Sequence, residues 1–246
     1  MPSDFCLGDL LGHNHEQMKH RFHTNAPMAA GSSIPLEGDE LRHARVLRLR
    51  AGEPVEVFDS RGHSFAATVE ESLTSVRLGQ ELPSRESARA IDLAMSVINL
   101  DKFELVLQKA TELGAASITP LLTDRMEVRI ERLRGKTDRW QKILFEAVKQ
   151  CGRAIIPTLH EPMTLEAAMK REGTKIVYDA DEHASAVEPP LDRVALFIGP
   201  EGGFSPRELA LAREQGASFA TLGPRRLRAE TAAIVALALV VLKSEP

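Results

Sequence analysis

Two short stretches near the C-terminal end carry the residue types best suited to chemistry. The first is GPEGG, Gly199–Gly203. Gly199, Gly202 and Gly203 tolerate positive φ and let a ligand approach the main chain closely. Pro200 fixes one torsion and removes a donor. Glu201 is the only functional side chain in the stretch. No Gly-Lys-Ser/Thr follows, so this is not a P-loop, and the G-x-G-x-x-G dinucleotide spacing is absent. The same residues would also suit a tight strand-to-helix turn that binds nothing. The second stretch is LGPRRLRAET, Leu222–Thr231, in which Arg225, Arg226 and Arg228 follow the turn residues Gly223 and Pro224. Arginine does not deprotonate at neutral pH, so it serves as no base. It clamps phosphate or stabilises a developing anion. Its alternative here is a solvated basic loop, with Glu230 satisfying one guanidinium.

Both stretches lie where elements must meet. Ala195–Leu242 reads as strand, glycine turn, helix, strand, glycine turn, helix. In open α/β sheets, ligands bind outside the carboxyl ends of the strands. Upstream, apolar runs at Ile91–Ile98, Ile118–Leu122, Lys175–Asp179 and Val194–Ile198 predict strands, and Phe219–Leu222 a further one. Between them, Asp101 offers an N-cap with Glu104 three residues on, for a helix Lys102–Leu113 stopping at Gly114. Asp138–Cys151 is amphipathic at helical spacing, and Thr164 can cap Leu165–Arg171. Ser205, Pro206 and Glu208 spell a capping box with proline at the first helical position, ending at Gly216; Thr231 can cap the last helix. Strands alternating with helices imply a mainly parallel sheet covered on both faces.

The earlier part of the chain differs. From Arg21 to Leu82 the signal is β: short strands around the Asp59–Gly62 turn suggest a small barrel. Arg42, His43, Arg45, Arg48 and Arg50 crowd its start, interleaved with Val46, Leu47 and Leu49. That is either a strand or helix face open to solvent or a phosphate-binding patch. Pro83–Arg89 is polar and predicts a linker. The domains expected are a flexible extension over 1–20, a barrel over 21–82, the linker over 83–89 and a second domain over 90–246.

Composition narrows the class. The 246 residues are 43% hydrophobic, enough for a sizeable core, and the net charge of -4 requires any RNA-binding patch to be local. Aromatic residues make up only 4%, so base-stacking platforms are scarce. Cys6 and Cys151 suggest a reduced compartment and no disulfide framework. His13, His15, His20 and His23 lack the carboxylate or cysteine spacing of a metal site, so no metal is expected. The N-terminus lacks a signal-peptide core, and the longest apolar run, Ala232–Leu242, is too short to span a bilayer. An intracellular protein with no membrane partner is the expectation.

The motifs together are more specific than any one of them. GPEGGFSPRE (Gly199–Glu208) followed by LGPRRLRAETA (Leu222–Ala232) resembles the C-terminal half of the RsmE-type 16S rRNA uridine N3-methyltransferases of the SPOUT superfamily. QKATELGAASITPLLTDR (Gln108–Arg125) and RWQKILFEAVKQCGRAIIP (Arg139–Pro157) are similar to that family's central segments, and HARVLRLRAGEPVEVFD (His43–Asp59) to its PUA-like barrel. The resemblance implies a trefoil-knotted α/β methyltransferase domain preceded by a small PUA-like β-barrel. It implies S-adenosylmethionine bent into the knot against the two glycine turns, with the end of strand Lys175–Asp179 as a third wall. The cofactor wall would comprise Val177, Gly199, Pro200, Glu201, Gly202, Gly203, Leu222, Gly223, Leu227 and Thr231. It implies a homodimer acting on 16S rRNA or the small ribosomal subunit. Arg228 is expected to stabilise charge on the uracil, and Glu201 to accept a proton or hold the cofactor. Arg42, Arg45, Arg48, Arg153 and Arg225 are the expected RNA contacts. A SPOUT enzyme with another RNA target, or a non-catalytic ribosome-assembly factor, are the competing readings. The chain departs from the family pattern at Lys149, where an acidic residue is usual, and at Ile98–Asp101, where a Lys-Gly pair is frequent. Residues 1–20 have no counterpart in it.

Overall fold

The computed structural model describes residues 18–87, 89–179 and 193–242. Cys6, His13 and His15, and most of the expected extension, lie outside them. The chain divides into two compact units, one ending at Arg85 and the other beginning at Glu86.

The first unit is a five-stranded sheet and one helix. Its elements are β1 (Arg21–His23), β2 (Ser33–Pro35), α1 (Gly38–Leu47), β3 (Pro54–Phe58), β4 (Ser64–Val69) and β5 (Ser75–Glu81). The strand order is β1-β3-β4-β5-β2, with β1 parallel to β3 and the other pairs antiparallel. Phe22, Val55, Val57, Val76 and Leu78 fill its core. The basic stretch was expected in a β region, but most of it is helical. Alternating Arg and apolar residues imitate a strand, yet Leu41, Ala44 and Leu47 recur at helical spacing and pack on this core. Arg48 ends the helix in the left-handed conformation, φ 55°.

The second unit is a parallel sheet between helices. It contains β6 (Ala90–Ser96), α2 (Leu100–Glu112), β7 (Ser117–Leu122), a short 3-10 helix (Ile130–Leu133), α3 (Thr137–Cys151), β8 (Thr158–Leu159), β9 (Met163–Thr164), α4 (Leu165–Met169), β10 (Thr174–Tyr178), β11 (Arg193–Ile198), α5 (Pro206–Glu214), β12 (Ser218–Ala220) and α6 (Ala229–Leu242). The order is β12-β10-β11-β6-β7-β8, with β9 also pairing β7, and every pair is parallel. Strands β6 and β11 are buried over nearly their whole length, as a sheet covered on both faces requires. Phe103 and Trp140 meet at 5.0 Å between ring centroids and tie α2 to α3.

Local grammar is obeyed in some helices and overridden in others. In α5, Ser205 accepts from the Glu208 N–H while the Glu208 carboxylate accepts from the Ser205 N–H, the expected capping box. In α2 the cap is Asn99, not Asp101: the Asn99 side chain accepts from the Asp101 N–H at 3.0 Å, so the helix starts earlier. Glu104 is turned to Arg139 instead of closing a box. Thr231 does not cap α6; it is the third residue of a helix that begins at Ala229. Among the described residues, no helix is long and apolar enough to cross a membrane.

Candidate functional site

A cavity of about 590 Å³ opens at the carboxyl ends of β10 and β11. Its walls come from Tyr178 and Asp179 after β10, from Ile198–Phe204 after β11, and from the loop leading into α6. The Gly199–Gly203 turn is tightly wound. Gly203 donates its N–H to the Pro200 carbonyl at 2.9 Å and sits at φ 68°. A Cβ on Gly199 would meet the Phe204 nitrogen at 3.1 Å, so the main chain there would have to give by a few tenths of an ångström to admit a side chain. Gly202 is different: a Cβ would meet only the Arg125 side chain, at an ordinary 3.6 Å.

Arg125, three residues beyond the end of β7 at Leu122, lines the cavity and holds this turn. Its Nη1 donates to the Gly202 carbonyl at 2.8 Å. Its neighbour Asp124 accepts from Ser205 Oγ and is forked by Arg207, while the Asp124 N–H donates to Glu208. These hydrogen bonds hold the Asp124 carboxyl below the usual range, with the Arg207 bond first and the Ser205 bond second. The β7 loop, the glycine turn and the start of α5 are therefore one stitched unit.

Of the expected cofactor residues, Gly199, Pro200, Glu201, Gly202, Gly203, Leu222 and Leu227 line the cavity together. Val177 does not: it is 1% exposed and packs in the apolar layer of β10, while Tyr178 and Asp179 beyond it reach the wall. Gly223 and Thr231 are not among the lining residues either. Arg225 and Arg228 both line the cavity, and neither guanidinium has a hydrogen-bond or ion-pair partner among the described residues. Glu230 does not satisfy an arginine. It is nine-tenths buried, and its Oε1 lies 3.4 Å from Lys102 Nζ, which is also 3.9 Å from Glu201. Lys102 was missed from sequence because its partners are distant along the chain. Tyr178 and Asp179 stand where the end of strand Lys175–Asp179 was expected as a third wall; Arg125 was missed, although it too follows a strand carboxyl end, where such ligand walls arise.

Arg153 is a correction. Expected at an RNA surface, it is 5% exposed and fully engaged inside the unit. It donates to Glu86 at 2.9 and 2.7 Å and to the carbonyls of Thr111 and Ala115, each at 2.9 Å. Glu86 also accepts from the N–H groups of Ala154 and Ile155. In the first unit, Arg42, Arg45, Arg48 and Arg50 are exposed, Arg42 being paired with Asp39 on its own helix. His43 is turned inward, its ring 5.5 Å from that of Phe22.

The arrangement can take a small molecule with flat apolar and polar parts. The volume falls in the range of about 300–1,000 Å³ common for such sites. The residues of the two turns line it together with apolar Ile198, Phe204 and Ala232, and with Arg225 and Arg228, whose guanidiniums are uncommitted. No cluster that could hold a metal ion occurs among the described residues.

Comparison with known proteins points the same way. Residues 85–241 match the RNA methyltransferase domain family, and residues 36–76 the RNA methyltransferase PUA domain family. The ribosomal RNA small subunit methyltransferase E of Rickettsia conorii is 31% identical, with 90% of this chain and 94% of that protein aligned. The crystal structure of the Neisseria gonorrhoeae ribosomal RNA small subunit methyltransferase E, bound to S-adenosylmethionine, superposes with a TM-score of 0.81 at 30% identity, covering 89% of this chain and 95% of that one. A Legionella pneumophila chain solved with bound S-adenosylmethionine gives 0.76 at 36% identity, over 89% and 96% of the two chains. With a two-unit architecture, a cavity lined by two glycine-bearing turns and relatives matched over almost their full length, this chain belongs to the ribosomal RNA small subunit methyltransferase E family.

Proposed function

We propose that the protein transfers the methyl group of S-adenosylmethionine to N3 of a specific uridine in small-subunit (16S) ribosomal RNA. One observation carries this reading. Two glycine-bearing turns at the carboxyl ends of parallel strands line one cavity, together with the uncommitted Arg225 and Arg228. The cavity residues fit the cofactor: Ile198, Leu222 and Leu227 offer apolar surface for a purine, and the two turns offer main-chain groups for its polar edges. When bound, S-adenosylmethionine supplies an electrophilic methyl on a positively charged sulfur.

The chain's own residues must do the rest. N3–H of uracil is a weak acid, so the nitrogen must lose its proton as it attacks. Arg228 faces the charge that develops on a uracil oxygen; its fixed charge costs no reorganisation at that moment. Glu201 accepts the proton or orients the cofactor, with Lys102 3.9 Å away balancing its charge. Arg125 and the glycine turn fix the distance over which transfer occurs.

Further parts of the reading follow the family. The barrel expected over residues 21–82 binds RNA through Arg42, Arg45 and Arg48 on and just after α1, and residues 90–246 carry the transfer. The C-terminal chain threads as a trefoil knot, in keeping with β10 lying between β11 and β12 although those two are consecutive in the chain. The working form is a homodimer, supported by Leu105, Leu239 and Leu242 exposed on α2 and α6.

Calorimetric titration with S-adenosylmethionine tests the core of this. Wild type should bind one equivalent per chain. Gly202→Trp should not bind, because an indole at Gly202 has room to enter the cavity. Binding unaffected by that substitution would remove the cofactor from this site.

A further inference from the structure

A second cleft, about 420 Å³, lies in the same unit and shares Glu201 with the first. Its walls are the Ile98–Asp101 turn, Glu104 on α2, and the segment from Glu127 to Arg139. It is as polar as the first cleft is mixed. Glu104 is forked by Arg139 at 2.7 and 2.6 Å, so these two charges neutralise each other. Beyond that pair the lining carries two cations, Arg132 and Lys136, and three carboxylates, Asp101, Glu127 and Glu201, of which Glu201 lies 3.9 Å from Lys102. Arg132 and Lys136 line the cleft, and neither side chain has a carboxylate or other hydrogen-bond partner among the described residues. Asn99 spends its side-chain oxygen on capping α2, which leaves its amide N–H groups as donors toward the cleft.

We propose that this second cleft receives the ribose-phosphate of the acceptor RNA strand, with its target base reaching across Glu201 toward the cofactor cavity. The inference rests on the proposed methyl transfer and adds to it the place where RNA enters. Methyl donor and acceptor must touch, so the acceptor's cavity must adjoin the donor's. The shared Glu201 meets that requirement. The uncommitted Arg132 and Lys136 are the charges a phosphodiester needs. Carboxylates at Asp101 and Glu127 can accept from ribose hydroxyls, which DNA lacks at the 2′ position. The 3-10 helix Ile130–Leu133 presents Arg132 outward while Leu133 anchors it in the core.

The test is RNA binding by fluorescence anisotropy as a function of salt, using a small-subunit rRNA fragment and the full chain. Arg132→Gln with Lys136→Gln should weaken binding at least tenfold. It should also flatten the salt slope by about 1.4, at about 0.7 per phosphate contact on single strands. S-adenosylmethionine affinity, measured separately, should stay within twofold of wild type. Unchanged RNA affinity and slope overturn the proposal, as does RNA binding by neither protein. A fragment carrying 4-thiouridine gives a readout that needs no variant. Crosslinks to peptides within residues 98–104 or 127–139 support the cleft, and crosslinks confined to other peptides refute it. Methyl transfer is scored on wild type alone. If wild type binds RNA through this cleft but transfers no methyl, the function fails while the RNA site stands.

Discussion

Arg153→Ala separates a buried structural arginine from an RNA-binding one. The side chains of Arg153 and Glu86 are only 6% and 14% exposed and lie 2.7 Å apart. Removing the guanidinium strips a largely buried carboxylate of its charged partner while the Ala154 and Ile155 N–H groups still donate to it. The buried carbonyls of Thr111 and Ala115 each lose a donor as well. Breaking a buried pair by deleting one partner costs about 3–5 kcal/mol. For a unit of this size each kcal/mol lowers Tm by roughly 2–4 °C, so the second unit should melt roughly 6–20 °C lower. Scanning calorimetry reads this as a downward shift in that unit's transition. At a temperature where both proteins are folded, RNA affinity should be unchanged. Unaltered melting combined with weaker RNA binding would return Arg153 to the RNA surface and refute the reasoning.

Arg228→Ala should lower turnover by about 10²–10³, the loss typical for one donor to a developing oxyanion, with cofactor affinity unchanged. Equal loss of cofactor binding in titration would make Arg228 a structural residue of the loop instead. Arg45→Glu with Arg48→Glu should weaken RNA binding and lower its salt dependence, because both side chains are exposed on or just after α1; an unchanged slope removes α1 from the RNA face. Asp92 supplies a pH dependence. Burial raises its pKa, but hydrogen bonds from Arg193 and Ser117 outweigh this and lower it overall. Its contribution to stability is therefore fully present above the unfolded carboxylate value of about 3.9 and is lost as pH falls through the lower folded value. Asp92→Asn should flatten the acid limb of a stability–pH curve from urea melts, and an unaltered limb would contradict that assignment.

Legibility in the sequence followed the range of the interaction. The α5 capping box was readable because Ser205, Pro206 and Glu208 act within one turn. Strands β6, β7, β10 and β11 were readable as apolar runs because both sheet faces are covered. The glycine turns were readable because glycine is favoured where main chain approaches as closely as at Gly199 and where φ is positive, as at Gly203. What failed depends on partners far along the chain. Arg153 near a helix end looks like a surface charge until Glu86, 67 residues earlier, is placed beside it. Lys102 gains meaning only when Glu201 and Glu230 arrive from the other end of the domain. Arg125 sat inside a quoted motif, yet its contact with Gly202 spans 77 residues. The α1 stretch read as either strand or helix for a local reason: its arginines alternate with apolar residues as a strand's would, while its core-facing positions are few.

The central claim is methylation at N3 of a uridine in small-subunit rRNA. Nucleoside mass spectrometry of that rRNA, from cells lacking the gene and from cells complemented with it, tests this most directly. The account predicts that 3-methyluridine disappears on deletion, returns with the wild-type gene and does not return with Gly202→Trp. Persistence of 3-methyluridine at wild-type level in the deletion strain would contradict it.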